Sequence, residues 1–135
     1  MRRFLLDTGI AACYIDRRRG GFERARAEAA SGNVVGITIP VLGELWYRLE
    51  GSVQRDRNHQ RLLVALASWK LWPTTKQAAF EYGRIAFELR RVGRPIGQND
   101  TMIAAVALTL PRCTVVTMDA GLSSVPGLSV ENWAT

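Results

Sequence analysis

The stretch Gly93-Arg-Pro-Ile-Gly-Gln-Asn-Asp-Thr-Met-Ile-Ala-Ala-Val-Ala-Leu-Thr-Leu110 sets a polar, turn-rich loop against the start of an apolar helix. Counting from Asp100, the i+3, i+4, i+7 and i+8 positions are all apolar, so they share one helical face that is predicted to be buried. They are Ile103, Ala104, Ala107 and Leu108. Asp100 therefore begins a core-facing stripe. Helix capping by Asn99 or Asp100 is one explanation of this placement, and a chemical role for Asp100 is the other.

Strands alternate with helices along the rest of the chain. Short apolar or β-branched runs predict strands at Phe4–Leu6, Val34–Thr38, Lys70–Trp72, Cys113–Thr117 and Leu128–Val130. Helices are predicted at Ile10–Arg17, Phe22–Ala30, from Pro40 onward, at Arg55–Ser68, at Thr75–Val92 and after Asp100. This order indicates an α/β domain with a parallel sheet covered on both faces. At 135 residues without an internal linker, residues 1–135 are predicted to be one domain.

Three further acids occupy places like that of Asp100, each at the end of an apolar run or beside one. Asp7 and Asp119 directly follow the ends of predicted strands, and Glu44 lies beside the apolar stripe of the helix that starts near Pro40. In parallel sheets, ligands bind outside the carboxyl ends of the strands. We therefore expect the four carboxylates to converge at that edge.

Converging carboxylates repel one another, so they either take up protons or bind a cation. Carboxylate oxygens suit Mg²⁺ or Mn²⁺, and such sites hydrolyse phosphodiesters by activating water and offsetting charge on the phosphate. Other chemistries find little support. The single histidine, His59, lies in a polar helix and is expected on the surface, and no glycine-rich phosphate loop is present. An aspartyl phosphatase would need a second Asp two residues after Asp7, where Gly9 stands.

The overall charge points to a polyanionic partner. The formal net charge is +6 and the pI is near 10.1, which favours nucleic acid, with a membrane surface or an acidic protein as the alternatives. Cys13 and Cys113 lie far apart within apolar runs and are expected to be buried free thiols. No signal peptide or membrane span is recognised, so we expect a cytoplasmic protein.

The ordered set of motifs resembles the PIN-domain ribonucleases of the VapC toxin type. It comprises Leu5-Leu-Asp-Thr-Gly-Ile10, Glu44-Leu-Trp-Tyr47, the Gly93–Ala105 stretch, Val115-Val-Thr-Met-Asp119 and Val125–Trp133. The resemblance covers nearly the whole chain. It implies a three-layer α/β/α fold with a central parallel sheet and a Mg²⁺- or Mn²⁺-dependent endoribonuclease that cleaves RNA. It also implies a homodimer and a cognate VapB-type antitoxin.

Position by position, the resemblance implies that Asp7, Glu44, Asp100 and Asp119 are the metal ligands. It also implies that Thr117 is a hydroxyl residue that supports the site. Two departures stand out: Gly9 replaces the family's usual Asn, and the loop after Asp119 is one residue short, with Leu122 where Phe is usual. A non-catalytic PIN-like module that binds RNA or protein therefore remains the alternative.

Overall fold

The computed structural model describes residues 1–135 and contains five strands and six α-helices. The strands are β1 (Arg3–Leu6), β2 (Val34–Thr38), β3 (Lys70–Trp72), β4 (Cys113–Val116) and β5 (Ser129–Glu131). The helices are α1 (Thr8–Asp16), α2 (Gly21–Ala30), α3 (Ile39–Glu50), α4 (Arg55–Ser68), α5 (Lys76–Arg91) and α6 (Gln98–Leu108). A 3₁₀ turn at Ala120–Ser124 joins β4 to β5.

All the strands are parallel and lie in the order β3-β2-β1-β4-β5. The chain winds outward from β1 to β3 and then returns to the other side of β1 with β4. The strand order therefore reverses between β1 and β4, and this switch point is where open α/β sheets form a crevice for ligands.

Helices cover both faces of the sheet. Right-handed crossovers place α1 to α4 on one face and α5 and α6 on the other, in agreement with the packing of α1 against α2 and α4 and of α5 against α6. A core of 29 buried residues lies between these layers. The fold is thus the expected three-layer α/β/α arrangement with a central parallel sheet.

The predicted elements are all present, with ends that agree with the prediction or differ from it by one or two residues. Helix α1 begins at Thr8 rather than Ile10 because the Asp7 side chain caps it. Trp69, Trp72 and Trp133 are buried in the core, and the half-buried Trp46 packs against it. His59 is not a fully solvated residue: it is half-buried, with its ring edge-on to Trp46 at a centroid distance of 5.0 Å.

Both cysteines are free, but they differ in burial. Cys13 is fully buried, whereas Cys113 is half-buried at the start of β4. Burial raises the pKa of the Cys113 thiol to about 12, so it stays protonated at neutral pH. None of the helices combines the length and the apolar character that a membrane crossing requires.

Gly36 allows β2 and β3 to pair. A Cβ at this position would lie 1.9 Å from the Lys70 carbonyl oxygen and 2.8 Å from the Trp72 ring. We expect Gly36→Ala to lower the free energy of unfolding by about 2–4 kcal/mol, because the backbone of β3 must move to relieve the clash. Denaturant unfolding would measure the change.

Gly83→Ala is the matched control, because a Cβ there, within α5, would meet no atom within 4 Å. Helix propensity predicts that this control raises stability by up to about 1 kcal/mol. Equal stability of Gly36→Ala and the wild type would contradict the close packing of the two strands.

Candidate active site

Asp7 stands at the switch point and is held from two sides. It follows β1 and caps α1, where its Oδ1 accepts a hydrogen bond of 2.9 Å from the Ile10 backbone N–H. Its Oδ2 accepts a hydrogen bond of 2.5 Å from the Thr117 hydroxyl. Thr117 follows β4, the neighbour of β1, so this bond spans the crevice. Asp7 is only 8% exposed, and its carboxylate position is thus set by both strands.

Thr117 also links Asp7 to Asp119. The Thr117 hydroxyl oxygen accepts a hydrogen bond of 2.9 Å from the Asp119 backbone N–H. The Asp119 carboxylate is exposed, and its Oδ1 accepts a hydrogen bond of 2.9 Å from the Gly121 backbone N–H. Asp119 therefore has the turn-forming role typical of an Asp at this kind of position, while its charge still acts on the neighbouring acids.

Glu44 joins three helices. It lies in α3, and its Oε2 accepts a hydrogen bond of 2.5 Å from the Thr8 hydroxyl at the start of α1. The same oxygen accepts a hydrogen bond of 3.3 Å from the side-chain amide of Asn99 in the first turn of α6. Glu44 is half-buried, and these two donors orient its carboxylate toward the crevice side of α1 and α6.

Asp100 has no comparable partner. Helix α6 begins after Gly97, which makes no side-chain cap bond, and the Asp100 carboxylate accepts no hydrogen bond that would lower its pKa. Helix capping by Asn99 or Asp100, one of the two explanations of this placement, therefore does not apply. Asn99 instead donates to Glu44, and the half-buried Asp100 carboxylate is left free to bind a cation or a proton.

The four acids form one electrostatic group. Burial raises the pKa of Asp7 above its ordinary value, the bonds from Thr117 and Ile10 oppose this, and Asp119 and Glu44 raise it further. Burial also raises the pKa of Asp100, and Asp7, Asp119 and Glu44 add to the effect. None of the four forms an ion pair with an Arg or Lys. The cluster is therefore an uncompensated negative site.

The donor chemistry suits a hard divalent cation. The side-chain atoms that could coordinate a metal are carboxylate and hydroxyl oxygens, the ligands that Mg²⁺ and Mn²⁺ prefer. As the side chains stand, however, no three His, Cys, Asp or Glu residues of the chain are arranged to hold a metal ion. The residues fit the cation by chemistry and charge. Some of the carboxylate oxygens, however, already accept hydrogen bonds from hydroxyl and amide groups.

Gly9 lies directly beside this cluster. A Cβ at Gly9 would be 3.3 Å from the Met118 terminal methyl and 3.7 Å from Asp7 Oδ1. Met118 therefore occupies the space next to Asp7 that a side chain at position 9 would share. Support for Asp7 comes instead from Thr117 and the start of α1.

Sequence reasoning missed two residues that hold Glu44. Thr8 was not singled out, although its position immediately after Asp7 is a usable signal, and Asn99 was assigned only to helix capping. Both contacts join residues distant along the chain, which no periodicity reveals.

The chain is thus an α/β protein with a parallel sheet whose strand order reverses between β1 and β4, and with an acidic cluster at that switch point. The PIN domain family matches residues 4–128, and the chain belongs to this family.

Two named relatives cover the chain almost end to end. One is the tRNA(fMet)-specific endonuclease VapC of Shigella flexneri, 31% identical over 99% of this chain and 100% of the relative. The other is the ribonuclease VapC2 of Rickettsia felis, 28% identical over 96% of this chain and 97% of the relative. The similarity is therefore not confined to one motif.

Solved structures agree with the fold. The crystal structure of VapBC2 from Rickettsia felis bound to a fragment of promoter DNA matches with a TM-score of 0.89 and 28% identity over 97% of this chain and 98% of that one. VapBC-5 from Mycobacterium tuberculosis, a member of the VapBC family of toxin–antitoxin systems, matches with a TM-score of 0.67 and 26% identity over the full length of both chains.

Because the four acids repel one another, we expect that removing one of their charges stabilises the fold, and that this stabilisation depends on pH. The folded-state pKa of Asp100 lies above the ordinary value of 3.8, so the folded chain holds this proton more tightly than the unfolded chain. Stability is then lost as the pH rises from 3.8 through the folded pKa. We expect Asp100→Asn, in chelator, to raise the unfolding midpoint at pH 7 by roughly 2 °C.

The rise in the unfolding midpoint of Asp100→Asn should become smaller as the pH falls toward 3.8, and thermal melts at a series of pH values would measure it. Asp56→Asn is the control, because the Asp56 side chain is fully exposed and its removal should leave the midpoint nearly unchanged. A lower midpoint for Asp100→Asn at pH 7 would show that Asp100 stabilises the fold instead.

Proposed function

We propose that the chain is a divalent-metal-dependent endoribonuclease and the toxin of a toxin–antitoxin pair. The observation that carries the proposal is the group of four carboxylates at the switch point, which no basic side chain of the chain neutralises. The mutual repulsion within such a group is relieved when a cation or a proton is bound there. The ribonuclease and endonuclease names of the two relatives support the same assignment.

In this proposal Asp7, Glu44, Asp100 and Asp119 hold Mg²⁺ or Mn²⁺. When bound, the ion would supply Lewis-acid stabilisation of phosphate charge and would activate a water molecule for attack. Asp7 is the rigid ligand because Thr117 and the start of α1 fix both of its oxygens. Glu44 is oriented by Thr8 and Asn99. Thr117 acts as a positioning residue, since it holds Asp7 and the backbone of Asp119 together.

The substrate is proposed to be RNA, with transfer or ribosomal RNA as the favoured classes. An acidic site repels phosphate, so cations nearby must supply the affinity. Arg94 lies in the loop that leads to α6, and Arg48 lies one turn beyond Glu44 on α3. Both are exposed and free of ion pairs. These two arginines are the nearest candidates along the sequence for binding the RNA backbone beside the acids.

Two protein partners are also proposed. The first is a VapB-type antitoxin, supported by the VapBC assemblies among the structural relatives. The second is another copy of the chain, because Phe80 and Phe87 are 64% and 70% exposed on α5. These residues are seven apart, and thus on one helical face, and a homodimer would cover them.

We expect the purified chain to cut total RNA at discrete sites in Mg²⁺ or Mn²⁺ and to leave it whole in EDTA. Asp100→Asn should lower the rate by roughly 100-fold or more, because it removes the carboxylate with no competing hydrogen bond. Gel electrophoresis with mapping of the cut ends would measure cleavage, and Asp56→Asn is the matched control.

Undiminished cleavage by Asp100→Asn would overturn the site assignment. RNA that remains intact but bound, equally in metal and in EDTA, would favour the non-catalytic PIN-like module. That alternative is consistent with Gly9 beside Asp7, with the turn role of Asp119 and with the lack of a preformed metal cage.

Metal binding should be visible without any substrate. At a free Mn²⁺ concentration about 100 times Kd, binding to the folded state adds about 2.7 kcal/mol of stability. We therefore expect Mn²⁺ to raise the unfolding midpoint of the wild type and of Asp56→Asn. The double variant Asp7→Asn/Asp100→Asn should not respond, and an equal response from it would place the metal elsewhere.

A further inference from the structure

One concave region of the chain lies away from the acids. A groove of about 1040 Å³ runs between α1, α2 and α4 and reaches the starts of β2 and β3, and its lining contains four cations and no Asp or Glu. The cations are Arg17, Arg26, Arg61 and Lys70. Asp7 and Asp119 instead follow the ends of β1 and β4. Because all the strands are parallel, their starts and ends lie at opposite edges of the sheet, so this groove and the crevice of the acids are separate.

The crevice of the acids contains one large, exposed apolar side chain. Met118 lies between Thr117 and Asp119 and is 39% exposed. The other residues directly before and after the four acids are polar, small or buried. The Met118 terminal methyl is 3.3 Å from the position of a Cβ on Gly9, and that position is 3.7 Å from Asp7 Oδ1. Met118 therefore lies beside the carboxylate that both strands hold in place.

Backbone hydrogen bonds fix the chain on both sides of Met118. The Thr117 N–H donates to the Glu131 carbonyl oxygen at 2.9 Å, next to the pairing of β4 with β5. The Asp119 N–H donates to the Thr117 hydroxyl oxygen at 2.9 Å. Gly9 leaves room for the side chain, because a Cβ there would crowd the Met118 methyl. The place of Met118 in the crevice is thus set by α1, β4 and β5 together.

The chemistry of a thioether indicates which part of a nucleotide Met118 would contact. Sulfur is a weak hydrogen-bond acceptor, so it gains little from a ribose hydroxyl, and Mg²⁺ and Mn²⁺ prefer oxygen ligands. Methionine sulfur does make favourable contacts with aromatic rings, and the aromatic part of a nucleotide is its base. Each phosphate of RNA joins two nucleosides, so an RNA whose phosphate lies at the acids has a base next to them.

We propose that Met118 is a specificity-determining residue whose thioether packs against a nucleobase next to the scissile phosphate. This inference rests on the proposed function, since it adds a base contact to the same site. The unbranched methionine side chain adapts to the shape of the base. A purine offers more ring surface to such a contact than a pyrimidine does, so the contact favours a purine at this position.

Anisotropy measurements with two fluorescein-labelled probes test the base contact without cleavage. One probe is a strand of about ten adenylates, and the other is a ribose–phosphate strand of the same length without bases. Both are measured with the full chain in EDTA at low salt, where phosphate contacts are strong. Met118→Ala should bind the adenylate strand about 3- to 10-fold more weakly than the wild type does. It should bind the strand without bases as the wild type does.

Two further variants separate a base contact from a packing role. Met118→Leu keeps an apolar side chain of similar volume and should retain most of the affinity for the adenylate strand. Val53→Ala is the matched control, because Val53 is fully exposed in the turn between α3 and α4, and it should bind both probes as the wild type does. If Met118 only packs against Gly9, Met118→Ala should weaken both probes equally.

Cleavage in Mg²⁺ gives a second readout. The substrates are oligonucleotides that contain the mapped cut site and differ only in the two bases that flank the cut. We expect the wild type to favour a purine at one of these positions and Met118→Ala to reduce the preference to about twofold or less. The change should appear in KM rather than in kcat, because the base contact is made in the ground state as well as in the transition state.

Equal affinity of the wild type and Met118→Ala for the adenylate strand would overturn the inference, as would an equal loss of affinity for both probes. A wild type that cuts RNA but binds the adenylate strand no better than Met118→Ala does would leave the nuclease assignment intact and remove only the role of Met118. A wild type that cuts no RNA, but whose binding of the adenylate strand depends on Met118, would remove the nuclease assignment and leave the base contact.

Discussion

Mutual repulsion among four carboxylates is the constraint on which the site depends. The parallel sheet brings Asp7 and Asp119 to one edge, and helices α3 and α6 add Glu44 and Asp100, although no cation of the chain offsets their charge. Burial and crowding raise the pKa of Asp7 and Asp100. A core of 29 residues and the hydrogen bonds of the sheet must hold these acids together, because their own interactions favour separation.

Hydrogen bonds to Thr and Asn side chains make this crowding tolerable. Thr117 ties Asp7 at the end of β1 to the segment after β4, and Thr8 and Asn99 tie Glu44 to α1 and α6. Asp100 is the exception, since it receives no such bond. The site thus combines carboxylates that are held by hydrogen bonds with one carboxylate that receives none.

Charge is distributed unevenly between the two edges of the sheet. Asp7 and Asp119 lie beyond the ends of β1 and β4, and Glu44 and Asp100 lie in α3 and α6, whereas the groove with four cations and no carboxylate reaches the starts of β2 and β3. A net charge of +6 therefore does not describe one uniformly basic surface. The two regions carry charges of opposite sign, and each region can be altered by substitution without removing the other's charged groups.

The amino-acid sequence by itself determined the order of strands and helices and the place of Asp7 and Asp119 after buried strands, because periodicity and strand ends are local properties. Helix Arg55–Ser68 and strand Val34–Thr38 were predicted to the residue. Only the tertiary structure decided that Asn99 binds Glu44 rather than capping α6, that Thr8 orients the same carboxylate, and that α2 and α4 leave a cationic groove between them. These features join residues 36 to 55 positions apart, or whole helices, and such contacts depend on how the layers pack.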